Sequence, residues 1–338
     1  MSRAALVLSL LLTLTGTARA EFHTLLTASR TGDTVTVLQL LASGEAPDPP
    51  DHHHGYSPLQ FAAGRNDAEA VRALLAAGAD TEYRDHNGDR ALLWAARGLN
   101  AESLRLLLEA GSPPDSDDDR YGRTALMDAA FVGQAKSVRL LLDHGADIHR
   151  FDQSGDTALH YAARGGSSDV ARMLLDGGAH PGVVGEHLFR TPLHTAATWG
   201  DPELIALLLK EGPRDSRDVD GLTPLMTAAL SGRTKNVEAL LAAGARTEIA
   251  ADDGMTPLLV AVRDGWVEMA RLLLDAGANP AAIDKSGQGV EHYLEWHPLP
   301  RYIPEGSRMS SLGTEPDPEE TARLDVAHSE IRAMLADR

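Results

Sequence analysis

The 338-residue chain contains no cysteine. Without thiols it has no disulfide, no thiolate metal site such as a zinc finger, no catalytic cysteine and no lipid attached at a signal-site cysteine. Aromatic residues are also scarce, at 4% of the sequence. Because large rings are so few, the core must be built from leucine and alanine layers packed between helices.

Basic residues are in the minority, since 31 Lys and Arg stand against 49 Asp and Glu, for a formal net charge of −18. Such an acidic chain repels nucleic acid phosphates and anionic lipid surfaces. We therefore expect neither a nucleic acid nor a membrane surface among its partners.

Long hydrophobic runs are absent except near the start. There, residues 4–14 follow Arg3 and precede Ala18-Arg19-Ala20, the small-x-small pattern of a signal peptidase site. The run falls short of the about 20 apolar residues that span a bilayer. Residues 1–20 are therefore predicted to be a signal peptide, with no membrane insertion after cleavage.

Cleavage at that site sets the expected compartment. The mature chain would begin at Glu21 with a formal charge of −20, since two arginines and no acid are removed. We expect an exported protein, periplasmic or secreted. A disulfide-free chain behind a short signal favours a bacterial periplasm over a eukaryotic secretory route.

Motifs of common enzyme classes are missing as well. The sequence has no G-x-S-x-G nucleophile elbow, no G-x-x-x-x-G-K-S/T phosphate loop, no H-E-x-x-H zinc motif and no dinucleotide fingerprint. The sequence therefore predicts a non-enzymatic protein without a cofactor. An enzyme whose site is assembled from distant residues is the minor alternative.

Two polar runs resemble metal ligands without fitting a site. Three consecutive histidines, residues 52–54, suit a transition metal by type, but neighbouring loop positions do not converge on one ion without another ligand. The acidic run from Asp115 places Arg120 where a calcium loop needs glycine and Leu126 where it needs glutamate. We predict no metal site, and interpret the two runs as a polar loop tip and a solvated finger tip.

What the chain has in abundance is repetition of residues 191–197, Thr-Pro-Leu-His-Thr-Ala-Ala. The position of Thr191 recurs as Ser57, Arg90, Thr124, Thr157, Thr223 and Thr256. Successive intervals are 32 to 34 residues. Few architectures keep a constant period of this length.

Each part of the motif predicts a local structure. Thr191 can cap a helix whose first position is Pro192, because its hydroxyl accepts from a free N–H group and proline has none. The Ala-Ala pair allows a neighbouring helix to approach closely, and Gly200 is expected to end the helix in a left-handed conformation. A second apolar run and a polar loop of about ten residues follow. Each unit is thus helix, turn, helix and loop.

These motifs resemble those of ankyrin repeats over residues 22–298. The resemblance implies an all-α repeat solenoid of stacked helix-turn-helix units with β-hairpin-like finger loops. The sequence departs from the pattern where Arg90 replaces a capping threonine and Phe189 replaces a glycine. Only His160 and His194 keep the motif histidine, whose ring in this family bridges backbone groups within and between repeats.

The organisation follows from the period. The array of residues 21–298 is divided into an N-terminal cap unit 22–54, seven full repeats 55–286 and a truncated unit 287–298, followed by a linker 299–316 and a C-terminal helix 317–338. Leu324, Ala327, Ile331 and Leu335 share one face of that helix. We predict that the helix folds back on the truncated end of the array, although a partner could bury the same face.

Function is implied by the resemblance alone: a protein–protein interaction module that binds a partner protein through its concave face. Three alternatives stay open. The protein could be a scaffold or chaperone-like partner of a periplasmic enzyme, an inhibitor or immunity protein against an exported toxin, or an enzyme.

The candidate binding residues come from the family's usual contact positions, the finger loops and the turn that ends each inner helix. The selected residues are Arg120, Tyr121, Arg123, Phe131, Arg164, His187, Arg190 and Trp199. Arginine and aromatic residues are enriched in interface hot spots. We therefore predict a partner with an acidic and apolar segment. The alternative is that these arginines merely balance nearby acids and that Phe131 or Trp199 packs between units.

Overall fold

The computed structural model describes residues 24–49, 55–98, 101–118, 120–295 and 318–336. Within these ranges the chain forms 18 helices and no strand. The chain divides into two compact units between Ala179 and His180. The predicted signal segment, the three histidines 52–54 and the predicted linker lie outside the described residues.

The first unit consists of five helix pairs. Its helices are α1 (Leu25–Thr31), α2 (Thr34–Ala42), α3 (Pro58–Gly64), α4 (Ala68–Ala76), α5 (Ala91–Arg97), α6 (Glu102–Glu109), α7 (Ala125–Val132), α8 (Ala135–Asp143), α9 (Ala158–Gly165) and α10 (Ser168–Asp176). We call the first helix of each pair inner and the second outer. Each inner helix packs against the next inner helix, and each outer helix against the next outer helix.

The second unit repeats this arrangement. Its helices are α11 (Pro192–Trp199), α12 (Pro202–Leu208), α13 (Pro224–Leu230), α14 (Thr234–Ala242), α15 (Pro257–Arg263), α16 (Val267–Asp275), α17 (Val290–Leu294) and α18 (Pro318–Ala336). The described residues of both units therefore form the all-α helix-turn-helix repeat that the sequence predicts.

Helix starts follow the predicted capping chemistry. In α3, the Ser57 hydroxyl accepts from the Gln60 N–H at 3.2 Å while the Gln60 side chain accepts from the Ser57 N–H at 2.7 Å. Such a capping box satisfies two backbone donors that the first helical turn leaves free. Arg90 makes no side-chain cap, and its guanidinium instead lies 3.1 Å from Glu82.

The core consists of leucine and alanine layers, as the low aromatic content predicts. On the inner helices of the first unit the fully buried layer residues are Leu59, Ala62, Ala63, Leu92, Ala95, Ala96, Leu126, Ala129, Ala130, Leu159, Ala162 and Ala163. In the second unit, Leu193 is 1% exposed and occupies the corresponding layer position. Because the neighbouring repeat completes every layer, adjacent repeats stabilise one another.

The expected left-handed conformation is wrong for Gly200, which has φ −78° and ψ −174°, whereas Gly133 adopts it at the end of α7 with φ 76°. Asp201 is also extended, because the following Pro202 disfavours a helical residue before it. The missing side chain still matters, since a Cβ at Gly200 would lie 2.8 Å from the carbonyl oxygen of Ala196.

Finger loops join the helix pairs and are hairpin-like, with isolated antiparallel bridges between Asp117 and Thr124, Phe151 and Thr157, and Ile283 and Gly289. A buried aspartate organises the Asp152 loop, where its carboxylate accepts from the N–H groups of Ser154 and Asp156. Asp85, Asp218 and Asp284 make the same bonds in their loops. The hairpin character of these loops is thus held by side chains as well as backbone.

The acidic run near Asp115 is only partly the solvated tip that we expected. Asp118 is buried and accepts from the N–H groups of Tyr121 at 2.6 Å and Arg123 at 3.2 Å. Asp117 pairs with Arg150 at 2.9 Å. The expectation of a solvated side chain is wrong for Asp118, because the closed finger loop needs an internal acceptor for its own backbone N–H groups.

His194 carries the role that the resemblance implies for the motif histidine. Its Nδ1 accepts from the Thr191 N–H at 3.1 Å, and its Nε2–H donates to the carbonyl of Leu222, in the next repeat, at 3.0 Å. Burial lowers the pKa of His194, and the hydrogen bond to Leu222 opposes that change. Gln60 makes equivalent bonds to Ser57 and to the Asp89 carbonyl.

We therefore expect His194→Gln to keep the stability of the protein within about 1 kcal/mol at pH 7.5. A lowered folded pKa means that the histidine's contribution is complete above about pH 6.5 and is lost as the pH falls through the folded value. Glutamine does not titrate, so the variant should gain stability relative to the wild type between pH 6.5 and pH 5. Urea denaturation across this range measures the difference, and parallel profiles for the two proteins would contradict the assignment.

The C-terminal helix α18 packs against α16 and α17 and buries Leu324 and Ile331. Its His328 Nε2–H donates to the Val262 carbonyl at 2.8 Å, as the outer-helix Asn236 donates to Ala197 at 3.1 Å. Val262 and Ala197 are equivalent positions of two repeats. Helix α18 thus takes the place of the outer helix that the truncated unit lacks, as predicted, although the sequence analysis did not single out His328.

No helix among the described residues combines the length and the apolar character that crossing a membrane requires.

Candidate functional site

The finger loop before α7 presents an exposed aromatic ring close to two cations. Tyr121 is 48% exposed, and its ring centroid lies 5.1 Å from the Arg120 guanidinium carbon and 5.6 Å from that of Arg123. Asp118 fixes this loop through the two backbone bonds described above and an ion pair with Arg123 at 3.0 Å. We call Arg120, Tyr121 and Arg123 the Tyr121 cluster.

A chain of ion pairs connects this cluster to the inner helices. Arg123 lies 3.7 Å from Asp128 of α7, and the Arg97 Nε of α5 donates to the other oxygen of Asp128 at 2.7 Å. Arg97 also donates two bonds to Asp89, at 2.6 and 3.0 Å. Burial raises the pKa of Asp128, and the two guanidinium groups oppose that rise. This buried carboxylate was not among the predicted site residues.

Arg164 is paired rather than free. Its guanidinium lies 2.9 Å from Asp156 and 5.3 Å from the ring centroid of Tyr161. The Tyr161 hydroxyl donates to Asp152 at 2.7 Å, and burial together with this bond raises the pKa of Tyr161 above its usual range. The charge of Arg164 is therefore balanced by an acid, as the alternative interpretation of the arginines expects.

Phe131, the fifth predicted residue in the first unit, stands exposed near the C-terminal end of α7. A Cβ on Gly165 would collide with the carbonyl oxygen of Phe131, so α9 approaches the end of α7 closely through its backbone. The Phe131 side chain nevertheless remains open to solvent instead of being enclosed between repeats.

The second unit contains the other three predicted residues. Trp199 is 59% exposed at the end of α11, His187 is exposed in the preceding finger loop, and Arg190 pairs with the buried Asp218 at 3.0 Å. The same loop exposes Leu188 and also Phe189, which has a positive φ of 51°. The eight predicted residues therefore fall into a group of five and a group of three, one in each unit.

The structure also contains a cleft that sequence reasoning missed. Its volume is about 390 Å³, and its lining residues are Arg30, Phe61, Gly64, Arg65, Trp94 and Arg97. The rings of Phe61 and Trp94 meet edge to face at 5.6 Å, and Tyr56 contacts both rings at 5.3 and 5.4 Å. We call it the Trp94 cleft.

One sequence signal could have found this cleft. Phe61 and Trp94 both stand four residues after the motif position, as do Asp128 and Tyr161 in the following repeats. Stacked repeats bring equivalent positions together, so large side chains at this position must meet. This position lies within the inner helix, outside the finger loops and helix ends that contain the predicted binding residues.

Among the described residues, no group of three or more His, Asp or Glu side chains is arranged to hold a metal ion.

Helix pairs that stack inner on inner and outer on outer, joined by hairpin-like finger loops, define a protein of the all-α repeat class. Models for ankyrin repeats in three copies match residues 25–118, 59–152, 100–184 and 183–251, and a model for a single ankyrin repeat matches residues 253–285. These matches extend over more than half of the chain, which therefore belongs to the ankyrin repeat family. A search of curated proteins found no match.

Membership of this family supports a general statement of function. Ankyrin repeats are protein–protein interaction modules, and no enzyme family matches the chain. The exposed Tyr121 cluster, Phe131 and Trp199 offer the residue types that such interfaces favour.

Proposed function

We propose that this ankyrin repeat protein is an exported binding module that holds a partner protein through the Tyr121 cluster, with Phe131 and Arg164 beside it. The observation that carries the proposal is the exposure of Tyr121, half of whose surface is open although two guanidinium groups lie close to its ring. An aromatic ring held close to cations offers both stacking area and directional hydrogen bonds to a partner.

The charges of this cluster define the partner segment. Arg123 is already balanced by Asp118 and Asp128, whereas Arg120 forms no ion pair with a described residue. An acidic side chain of the partner can therefore pair with Arg120 while an apolar side chain packs on Tyr121. We propose His187, Arg190 and Trp199 as a second contact group, in the second unit.

Export is the second part of the proposal and depends on the pattern Ala18-Arg19-Ala20 behind a short apolar run. N-terminal sequencing of the protein recovered from periplasmic and extracellular fractions tests it. A mature chain that begins at Glu21 supports export, and a recovered chain that still begins at Met1 contradicts it.

The partner is to be captured with the mature protein from its own periplasmic extract and identified by mass spectrometry. A periplasmic enzyme as partner would indicate a scaffold or chaperone-like role, and an exported toxin would indicate an inhibitor or immunity protein. Turnover of a substrate that single substitutions abolish would indicate the enzyme alternative.

With the partner in hand, we expect Arg120→Glu with Tyr121→Ala to weaken binding by about 2 kcal/mol, or about thirtyfold. Arg120 is the better choice for charge reversal, because a glutamate at position 123 would face Asp118 and Asp128. The control is Arg139→Glu, an equal charge change at an exposed position of the outer helix α8. Calorimetry gives the affinities, and circular dichroism checks that each variant is folded.

The same test has a clear negative result. Equal affinity of the folded double variant and the wild type would remove the Tyr121 cluster from the interface. If the control variant loses the same affinity, the weaker binding results from the change in overall charge and not from the Tyr121 cluster.

A further inference from the structure

The Trp94 cleft lies on the inner helices α1, α3 and α5, apart from the Tyr121 cluster. We infer that this cleft is a further contact site and that it receives an aromatic side chain next to an acidic residue in a protein ligand. The inference rests on the proposed binding function and names the chemistry of a second segment of the partner.

The walls of the cleft suit an aromatic ring. Trp94 lies over Gly64, where a Cβ would approach the indole Cε3 to 2.9 Å, and its ring is held edge to face against Phe61. With the indole held by these neighbours, the part of it that lines the cleft can contact a ligand ring without a rotamer change.

The size of the cleft agrees with this occupant. Its volume of about 390 Å³ is near the lower end of ligand pockets, which range from about 300 to 1,000 Å³. A cavity of this size accepts one large side chain and the groups beside it.

The charges at its rim select an anion. Arg65 donates to the backbone carbonyl of Arg30 at 3.2 Å, and neither arginine forms an ion pair with a described residue. In a chain with a formal net charge of −18, two guanidinium groups that lack an acidic partner among the described residues and lie beside an aromatic wall are complementary to a carboxylate.

Arg97 makes a peptide the preferred source of this carboxylate. It lines the cleft and also bonds Asp128, which faces Arg123 of the Tyr121 cluster. An extended segment can therefore occupy the cleft and continue toward the Tyr121 cluster within the same unit. A free small carboxylic acid would occupy the cleft alone and would not reach the Tyr121 cluster.

The test uses synthetic peptides and does not require the natural partner. The purified chain, labelled with ¹⁵N-tryptophan, is titrated with the blocked peptide acetyl-Gly-Phe-Asp-Gly-amide. The Trp94 indole signal is assigned with Trp94→Phe. We expect a saturable shift of this signal, and about tenfold weaker binding when the aspartate of the peptide is replaced by asparagine.

Variants of the protein test whether the carboxylate of the peptide binds beside Arg65. Arg65→Gln should weaken the peptide about fivefold, because it removes a guanidinium from the rim. The matched control is Arg233→Gln in the second unit, where Arg233 makes the same type of bond to the Thr198 carbonyl at 2.9 Å. This control should leave the affinity unchanged.

Three results would overturn the inference. These are an unmoved Trp94 signal in the folded protein, equal binding of the aspartate and asparagine peptides, and tighter binding of free 3-phenylpropionate than of the blocked peptide. The last result would assign the cleft to a small carboxylic acid. Since Arg120 and Tyr121 are unchanged in these experiments, failure here is distinguishable from failure of the proposed function, which their substitution tests separately.

Discussion

Replacement of Leu193 by alanine is expected to lower the free energy of unfolding by about 2 to 5 kcal/mol. The side chain is 1% exposed on α11, which packs against α12 and α13 in the second unit. Truncation removes buried methyl groups and leaves a cavity that neighbouring helices, fixed by their own layers, can close only in part. Urea denaturation followed by circular dichroism measures the loss.

The matched control is Leu188→Ala, which removes the same groups from a leucine that is 46% exposed in a finger loop of the same unit. Its cost should stay below about 0.5 kcal/mol, the usual value for surface positions. If the two variants lose the same stability, Leu193 does not occupy a packed layer and the assigned repeat register is wrong.

The sequence predicts the repeat units because their determinants are local and recur. The capping position, the proline that follows it in four of the seven copies and the Ala-Ala pair present in six of them act within one helix, so each copy reinforces the same interpretation. The exception is instructive: Gly200 was assigned a left-handed conformation from its position alone. Pro202 favours an extended Asp201 before it, and Gly200 is extended as well, as is Gly98 at the end of α5.

Side-chain partners were less predictable, because they come from other repeats. Arg97 bonds Asp128 across 31 residues, and Arg190 bonds Asp218 across 28. Counting exposed arginines in sequence therefore overstated the free positive charge of the candidate surface. Tyr121 and Trp199 are exposed, and their part in binding stays a prediction. The Trp94 cleft depends on which positions of neighbouring repeats stack, which the local motif does not give.

The second large effect is expected from Arg97→Ala, which should cost about 3 kcal/mol at pH 7.5. Asp89 and Asp128 are both buried and both accept from this one guanidinium group. Its removal leaves two buried carboxylates, with Arg123 still 3.7 Å from Asp128. An ion that loses its partner inside the protein keeps its desolvation cost without the attraction that offset it.

The pH dependence of this loss distinguishes buried charge from lost packing. Arg97 holds down the pKa of Asp128, which burial raises, so the variant should raise that pKa further. A raised folded pKa means that the protonated carboxyl group is favoured in the folded state, and this advantage disappears as the pH rises through the folded value. The variant should therefore be most destabilised near pH 7.5 and should approach the wild type as the pH falls toward 5.

Two comparisons complete the experiment. Arg105→Ala removes an arginine that also pairs with two acids, Glu102 and Glu109, but on the surface of α6, and should cost far less than Arg97→Ala because solvent screens these pairs. Asp128→Asn in the Arg97→Ala background should recover at least about 1 kcal/mol, because the amide carries no charge to desolvate. The free energies of unfolding of the four proteins at pH 7.5 and pH 5 distinguish a loss of charge pairing from a loss of packing. A loss that is independent of pH and unrelieved by Asp128→Asn would show that Arg97 acts through packing of its aliphatic stem rather than through charge.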